Sequence, residues 1–183
     1  KSQNAYSGFY LYNHDDLANV INKTSSSGKK VFLFGVTFGL LDFVEKHNFH
    51  KLDNLTIIET GGMKGRRKEI IREEVHRNLT KAFNLDVIHS EYGMTELLSQ
   101  AYSLGNGLYK QNAYLKILLR DIQDPLTTKK NGRGCINAID LANIDSCAFI
   151  ATQDLGRIDK NGDFEVLGRF DTSEIRGCNL MVL

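Results

Sequence analysis

Tryptophan is absent from this 183-residue sequence, proline occurs once, at Pro125, and cysteine only at Cys135, Cys147 and Cys178. Three scattered thiols without a CxxC pair argue against a disulfide framework and a structural zinc site. They imply a reducing compartment, the cytoplasm. No apolar run approaches the roughly 18 residues that a membrane helix needs, and the opening KSQNAYSGFY lacks the hydrophobic stretch of a secretory leader. Charge of one sign is missing too: 23 Lys+Arg against 22 Asp+Glu leave a net charge of +1. That balance gives no field for nucleic acid or an anionic membrane surface. What is present is 42% hydrophobic residues, enough for a sizeable core. The first residue is Lys, so the natural chain is expected to extend upstream of Lys1.

Along the chain, apolar runs alternate with helical patterns. HDDLANVINK reads as a short helix with Leu17, Val20 and Ile21 on one face. VFLFGV is continuously apolar, the pattern of a strand covered on both sides. FGLLDFVEKH follows as a helix, and LTIIET as a second strand that ends in Gly61 and Gly62. Ile71, Val75, Leu79 and Phe83 recur every fourth residue, with Glu73, Glu74 and Arg77 on the wet face, which predicts the clearest helix. LDVIHSEYG reads as a third strand. Strands separated by helices imply βαβ units and a parallel sheet. After Gly107 the pattern changes to short strands and turns, with Pro125 in one loop and DKNGD as a hairpin turn. The expected fold class is α/β: a parallel βαβ layer over residues 1–107, then a smaller, mostly antiparallel β subdomain over 108–183.

Open α/β sheets bind ligands beyond the carboxyl ends of their strands. Two strand ends carry suitable chemistry, ETGGMKGRR and SEYGMTE. Paired glycines admit a flat ligand close to the backbone, and a tyrosine offers a stacking face. A threonine hydroxyl can meet a phosphate oxygen while a neighbouring glutamate holds magnesium. Together they read as a nucleotide site. SSSGKK at Ser25–Lys30 looks like a phosphate loop, but it lacks the first glycine of that motif and precedes its strand, so it reads as a solvated turn. Cys135 and Cys147, in apolar β segments, read as small buried hydrophobes.

YGMTE at Tyr92–Glu96 resembles the YGxTE motif of the adenylate-forming superfamily. Downstream, QDLGRIDKNGDFEVLGRFDTSEIRG resembles that superfamily's TGDLGxxDxDGxxxxxGRxDxxxKxRG signature. Within it, ETGGMKGR and the ending SEIRGCNL are similar to the LuxE-type acyl-protein synthetases of bacterial luminescence. The resemblance implies a long-chain-fatty-acid–protein ligase using ATP and Mg2+, which forms an acyl-adenylate from a carboxylic acid and passes the acyl group to a protein thiol. It further implies a possible acyl-reductase partner. By position, Gly61 and Gly62 would border the adenine, Tyr92 would stack on it with Gly93 alongside, and Thr95 would contact the α-phosphate. Glu96 would bind magnesium, Asp154 the ribose hydroxyls, and Arg169 the ribose or phosphate. Cys178 would accept the acyl group, its thiol activated by Arg176.

Several departures from the pattern stand out. The superfamily's Ser/Thr/Gly-rich pyrophosphate loop is missing, so a fragment that is inactive alone is expected. Gln153 replaces a glycine and Glu174 a lysine. The chain stops five residues after Cys178, before any lid domain, which suits LuxE-type proteins better than acyl-CoA ligases. Two alternatives remain at this point: a ligase using coenzyme A, and a non-catalytic nucleotide- or acyl-binding module.

Overall fold

The computed structural model describes residues 4–63, 67, 68 and 70–170. The chain divides into two units, residues 1–91 and 92–183. Among the described residues there are three α-helices and ten strands, a mixed α/β fold.

The first unit runs α1 (His14–Ser25), β1 (Val31–Val36), α2 (Thr37–Val44), β2 (Leu55–Thr60), α3 (Arg72–Phe83) and the start of β3 (His89–Tyr92). Val31 pairs with Leu55 and Ile58 with His89, both in parallel register. Parallel neighbours need a crossover, and α2 and α3 supply the two required. In α3 the expected period holds: Val75, Leu79 and Phe83 are buried, and Asn84 closes the helix in the left-handed conformation at φ 51°. Ile71 falls one residue before the helix and is exposed. A ring cluster of Phe43, Phe49 and Phe83 centres the core, with Phe49 stacked on Phe83 at 5.0 Å.

The apolar run of β1 implies cover on both faces, and this unit supplies it on one. Its helices and Val31, Leu33, Leu55 and Ile57 share a single core. Phe32 and Phe34, on the opposite side of the pleat, are 58% and 54% exposed.

The second unit is an antiparallel sheet. Its strands are β4 (Ala101–Ser103), β5 (Tyr109–Lys110), β6 (Leu115–Arg120), β7 (Thr128–Lys129), β8 (Gly132–Asp140), β9 (Phe149–Ile158) and β10 (Phe164–Arg169). Their spatial order is β4-β5-β10-β9-β8-β6-β7. The DKNGD turn forms as expected: Asp159 Oδ1 accepts from the N–H groups of Asn161 and Asp163, and Gly162 takes φ +89°. The core gathers Tyr92, Tyr109, Leu115, Ile117, Leu119, Ile136, Ile158 and Phe164. Cys135 is buried in β8 as expected, but Cys147 is exposed. β9 begins only at Phe149, so Cys147 lies in the preceding loop and has no sheet to cover it.

Two irregularities interrupt the ladders of β9. Between the pairs Cys135↔Leu155 and Asn137↔Ala151, one residue of β8, Ile136, faces three of β9, Thr152, Gln153 and Asp154. On the other side, Val166 pairs with Gly156 and Gly168 with Leu155, which leaves Leu167 as an extra residue in β10. Bulges re-aim side chains, and these two flank a single short segment around Asp154.

No helix among the described residues is long and apolar enough to cross a membrane.

Candidate nucleotide site

The bulge in β10 sets Arg169 directly opposite Asp154 across the strand pair. Tyr92, at the end of β3, donates its hydroxyl to Asp154 Oδ2 at 2.8 Å. Burial, followed by the charge and hydrogen bond of Asp154, pushes the Tyr92 phenol well above its ordinary pKa, so it stays a donor. The ring of Tyr92 is nearly buried, in edge-type contact with Tyr109 at 6.0 Å and Phe164 at 5.6 Å. Asp154 Oδ1 has no partner among the described residues, which leaves one carboxylate oxygen to accept from a ligand. Arg169 Nη2 donates to Gln153 Oε1 at 3.2 Å, so the residue that departs from the superfamily pattern braces the arginine. The sequence brings Tyr92, Asp154 and Arg169 together from positions up to 77 apart, and the structure gathers all three in one unit.

Thr95 and Glu96 lie on an exposed turn, closed by the Leu97 N–H bonding to Met94 O at 3.1 Å. Gly93 allows the chain to leave β3 here, since a Cβ at that position would sit 3.1 Å from Gln100 Cγ. Neither the Thr95 hydroxyl nor the Glu96 carboxylate has a partner among the described residues, so both are free for a ligand. The backbone around them is fixed. Asn143 Nδ2 donates to Glu96 O at 2.8 Å. Asp140 Oδ2 accepts from the N–H groups of Leu98 and Ser99 at 2.7 and 2.9 Å. Its Oδ1 accepts from Ser99 Oγ at 2.6 Å and the Ala142 N–H at 3.1 Å.

No group of three or more His, Cys, Asp or Glu side chains among the described residues forms a metal cage. A lone exposed carboxylate fits magnesium of the kind held by one or two carboxylates together with substrate phosphates.

Asp140 is a residue that sequence reasoning missed. The available signal was its phase: Ile136, Ala138 and Asp140 all point inward along β8, and a carboxylate in an apolar phase needs donors. Burial pushes its pKa up, but the donors, Ser99 first, outweigh this and hold it below the usual carboxylate range. A depressed pKa stabilises the fold above the unfolded value, near 4, and that stabilisation is lost as pH falls through the folded value. Asp140→Asn should therefore lower Tm by about 5 °C or more at neutral pH, since it turns an amide N–H towards backbone N–H groups. The gap between variant and wild type should shrink below about pH 4 in a melting series.

In the first unit, Gly61 takes φ +74° and its carbonyl accepts from the Thr37 hydroxyl at 2.9 Å. A side chain on Gly62 would meet nothing within 4 Å. Ser25–Lys30 is a mostly exposed turn, as expected, and it closes α1: Ser26 and Ser27 hydroxyls donate to Asn22 O and Thr24 O. That terminus presents carbonyls, the wrong polarity for phosphate. Ser90, His76 and Glu59 suggest a hydrolytic triad, yet Ser90 Oγ at 3.2 Å and Glu59 Oε1 at 3.6 Å both face the same nitrogen, His76 Nε2. A triad needs its nucleophile and its carboxylate on opposite ring nitrogens of the histidine. The cluster instead holds Glu59 in the core: burial raises its pKa, and bonds from His76, Thr37 and Ser90 lower it by more. Cys178, with Arg176, lies outside the described residues.

The same arrangement of strands and helices occurs in solved enzymes. ATP-bound MatB from Rhodopseudomonas palustris matches with a TM-score of 0.64 and 16% identity, over 87% of this chain and 34% of that one. O-succinylbenzoate coenzyme A synthetase (MenE) from Bacillus subtilis, in complex with ATP and magnesium, gives 0.59 and 19% over 86% and 34%. The inhibitor-bound N-terminal domain of FACL13 from Mycobacterium tuberculosis gives 0.59 and 15% over 88% and 43%. The chain thus has the fold of part of an adenylate-forming enzyme, and it spans about a third of the length of the first two. No curated protein matches it by sequence. Residues 11–183 match the acyl-protein synthetase (LuxE) family, and the chain belongs to that family.

Proposed function

We propose that this chain forms the nucleotide-binding part of an acyl-protein synthetase that activates a fatty acid with ATP and transfers the acyl group to the Cys178 thiol. The observation that carries the reading is the free oxygen of Asp154, held in place by Tyr92 with Arg169 opposite. A carboxylate with one committed and one open oxygen suits the vicinal hydroxyls of a ribose. Arg169 adds a cation for ribose or phosphate. The strip of Tyr92 left exposed borders the adenine. Thr95 donates to the α-phosphate, and Glu96 holds magnesium. Magnesium would supply charge stabilisation on the transferring phosphoryl oxygens. The chain's own part is to fix the turn at residues 94–97, so that Thr95 and Glu96 meet the nucleotide without reorganising. An acyl-reductase partner belongs to this reading, as the receiver of the acyl group.

The test is calorimetric titration of the full-length protein with ATP. Asp154→Ala should weaken binding by roughly 1–3 kcal/mol, the cost of hydrogen bonds between a charged acceptor and the ribose. Absence of any adenine-nucleotide binding by the wild type would sink the reading.

A further inference from the structure

Asp154 stands in the widest gap of the sheet, where Ile136 of β8 faces three residues of β9. A gap of that kind breaks ladder hydrogen bonds, and the stranded backbone groups need other partners. Two side chains provide them. Arg120, at the end of β6, reaches across β8 to both strands. Its Nη1 donates to Ile136 O at 3.1 Å and to Asn137 Oδ1 at 2.7 Å, and its Nη2 donates to Thr152 O at 2.6 Å. Thr152 is buried, donates its hydroxyl to Ile136 O at 2.9 Å, and accepts the N–H of Asp154 at 3.1 Å. Thus Ile136 O, Thr152 O and the Asp154 N–H are all satisfied by Arg120 and Thr152. No carboxylate pairs with the guanidinium among the described residues, so Arg120 acts here as a planar fork of donors and not as half of an ion pair.

We propose that Arg120, acting through Thr152, is a positioning residue that sets the Asp154 carboxylate for the nucleotide's ribose. The inference rests on the reading of Asp154 as the ribose acceptor and extends it to two residues that touch no substrate. Nothing else bridges β6, β8 and β9 at this point among the contacts described. Towards β8 the residues of the gap have no register partner, while towards β10 Asp154 pairs with Arg169 and Gln153 O accepts the Phe170 N–H at 2.6 Å, so it is the β8 side that Arg120 and Thr152 must hold. Losing the fork lets residues 152–154 shift, and the open oxygen of Asp154 moves with them.

The experiment compares ATP with 2′,3′-dideoxy-ATP on the full-length protein, by equilibrium titration. The dideoxy nucleotide keeps the base and phosphates but lacks the hydroxyls that Asp154 would bind. Wild type should prefer ATP by about tenfold or more, and Asp154→Ala should abolish that preference. Arg120→Met should cut the preference to within about threefold while leaving dideoxy-ATP affinity nearly unchanged. A purely structural role for Arg120 would weaken both nucleotides alike and keep the preference, and that result overturns the proposal. Should Arg120→Met fail to fold by circular dichroism, Thr152 decides: Thr152→Val should lose the preference and Thr152→Ser, which keeps the hydroxyl, should retain it. Preference intact in Thr152→Val overturns the proposal as well. If the wild type shows no preference, or Asp154→Ala keeps it, the ribose reading of Asp154 falls and takes the role of Arg120 with it. Preference lost in Asp154→Ala but retained in a folded Arg120→Met removes only Arg120.

Discussion

Glu96→Gln in the full-length protein should lower magnesium-dependent ATP–pyrophosphate exchange by at least about a hundredfold, because metal stabilisation of phosphoryl charge is worth several kcal/mol and each 1.36 is tenfold in rate. Its melting temperature should not move. Glu96 is exposed, and its side chain makes no contact among the described residues that glutamine would break. A helix-start role, in which the carboxylate faces the N-terminal dipole, has no place here, because Thr95 and Glu96 sit in a turn and no helix follows. Only the charge changes in this variant. Exchange at the wild-type rate would therefore show that magnesium is held elsewhere, and would leave Thr95 as the sole phosphate contact of the turn.

Cys178→Ser should remove the second chemical step and spare the first. Full-length protein incubated with labelled fatty acid, ATP and magnesium should acquire a label that hydroxylamine releases, as a thioester requires. In Cys178→Ser that label should fall to background while pyrophosphate exchange continues. A serine hydroxyl at this position stays protonated and is a far weaker nucleophile than a thiolate beside a cation such as Arg176. The other two cysteines differ from each other. Cys135 is buried in β8 with its pKa raised by burial, which keeps it unreactive. Cys147 is exposed, so Cys147→Ser is the necessary control. A hydroxylamine-labile label that persists in Cys178→Ser and disappears in Cys147→Ser would move the acceptor. A label in neither variant nor wild type, with acyl-coenzyme A formed in solution, would favour a ligase that uses coenzyme A.

The parallel layer was legible because burial imposes a period. The repeat of Val75, Leu79 and Phe83 marks a helix before any coordinates are known, and the same residues form its buried face. The reading of β1 went too far for a related reason. A continuous apolar run states that both faces avoid water without stating what covers them, and among the described residues of 1–91 nothing covers Phe32 and Phe34. The residues of the candidate site were legible through motif order, but their mutual support was not. That Tyr92 bonds Asp154, or that Gln153 braces Arg169, depends on a cross-strand register displaced by two bulges; the one in β10 is marked only by Gly168, at φ +142°, and the gap in β9 by no special residue. Asp140 and Arg120 escaped notice because their partners are backbone groups far away in sequence, which no local pattern records.

The surplus residues of β9 also bear on how this chain compares with others. Side chains along a strand alternate between faces, so the number of residues in the gap opposite Ile136 decides which face Phe149 to Ala151 present relative to Asp154, whose own place follows from its pair with Arg169. The relation between the start of the strand and the carboxylate is thus stored as a count and not as a composition. A relative could exchange the residues at 151 and 153 and keep that relation. One that gained or lost a single residue there would turn the start of the strand to the other side of the sheet from its present place relative to the acid, even with every motif letter intact.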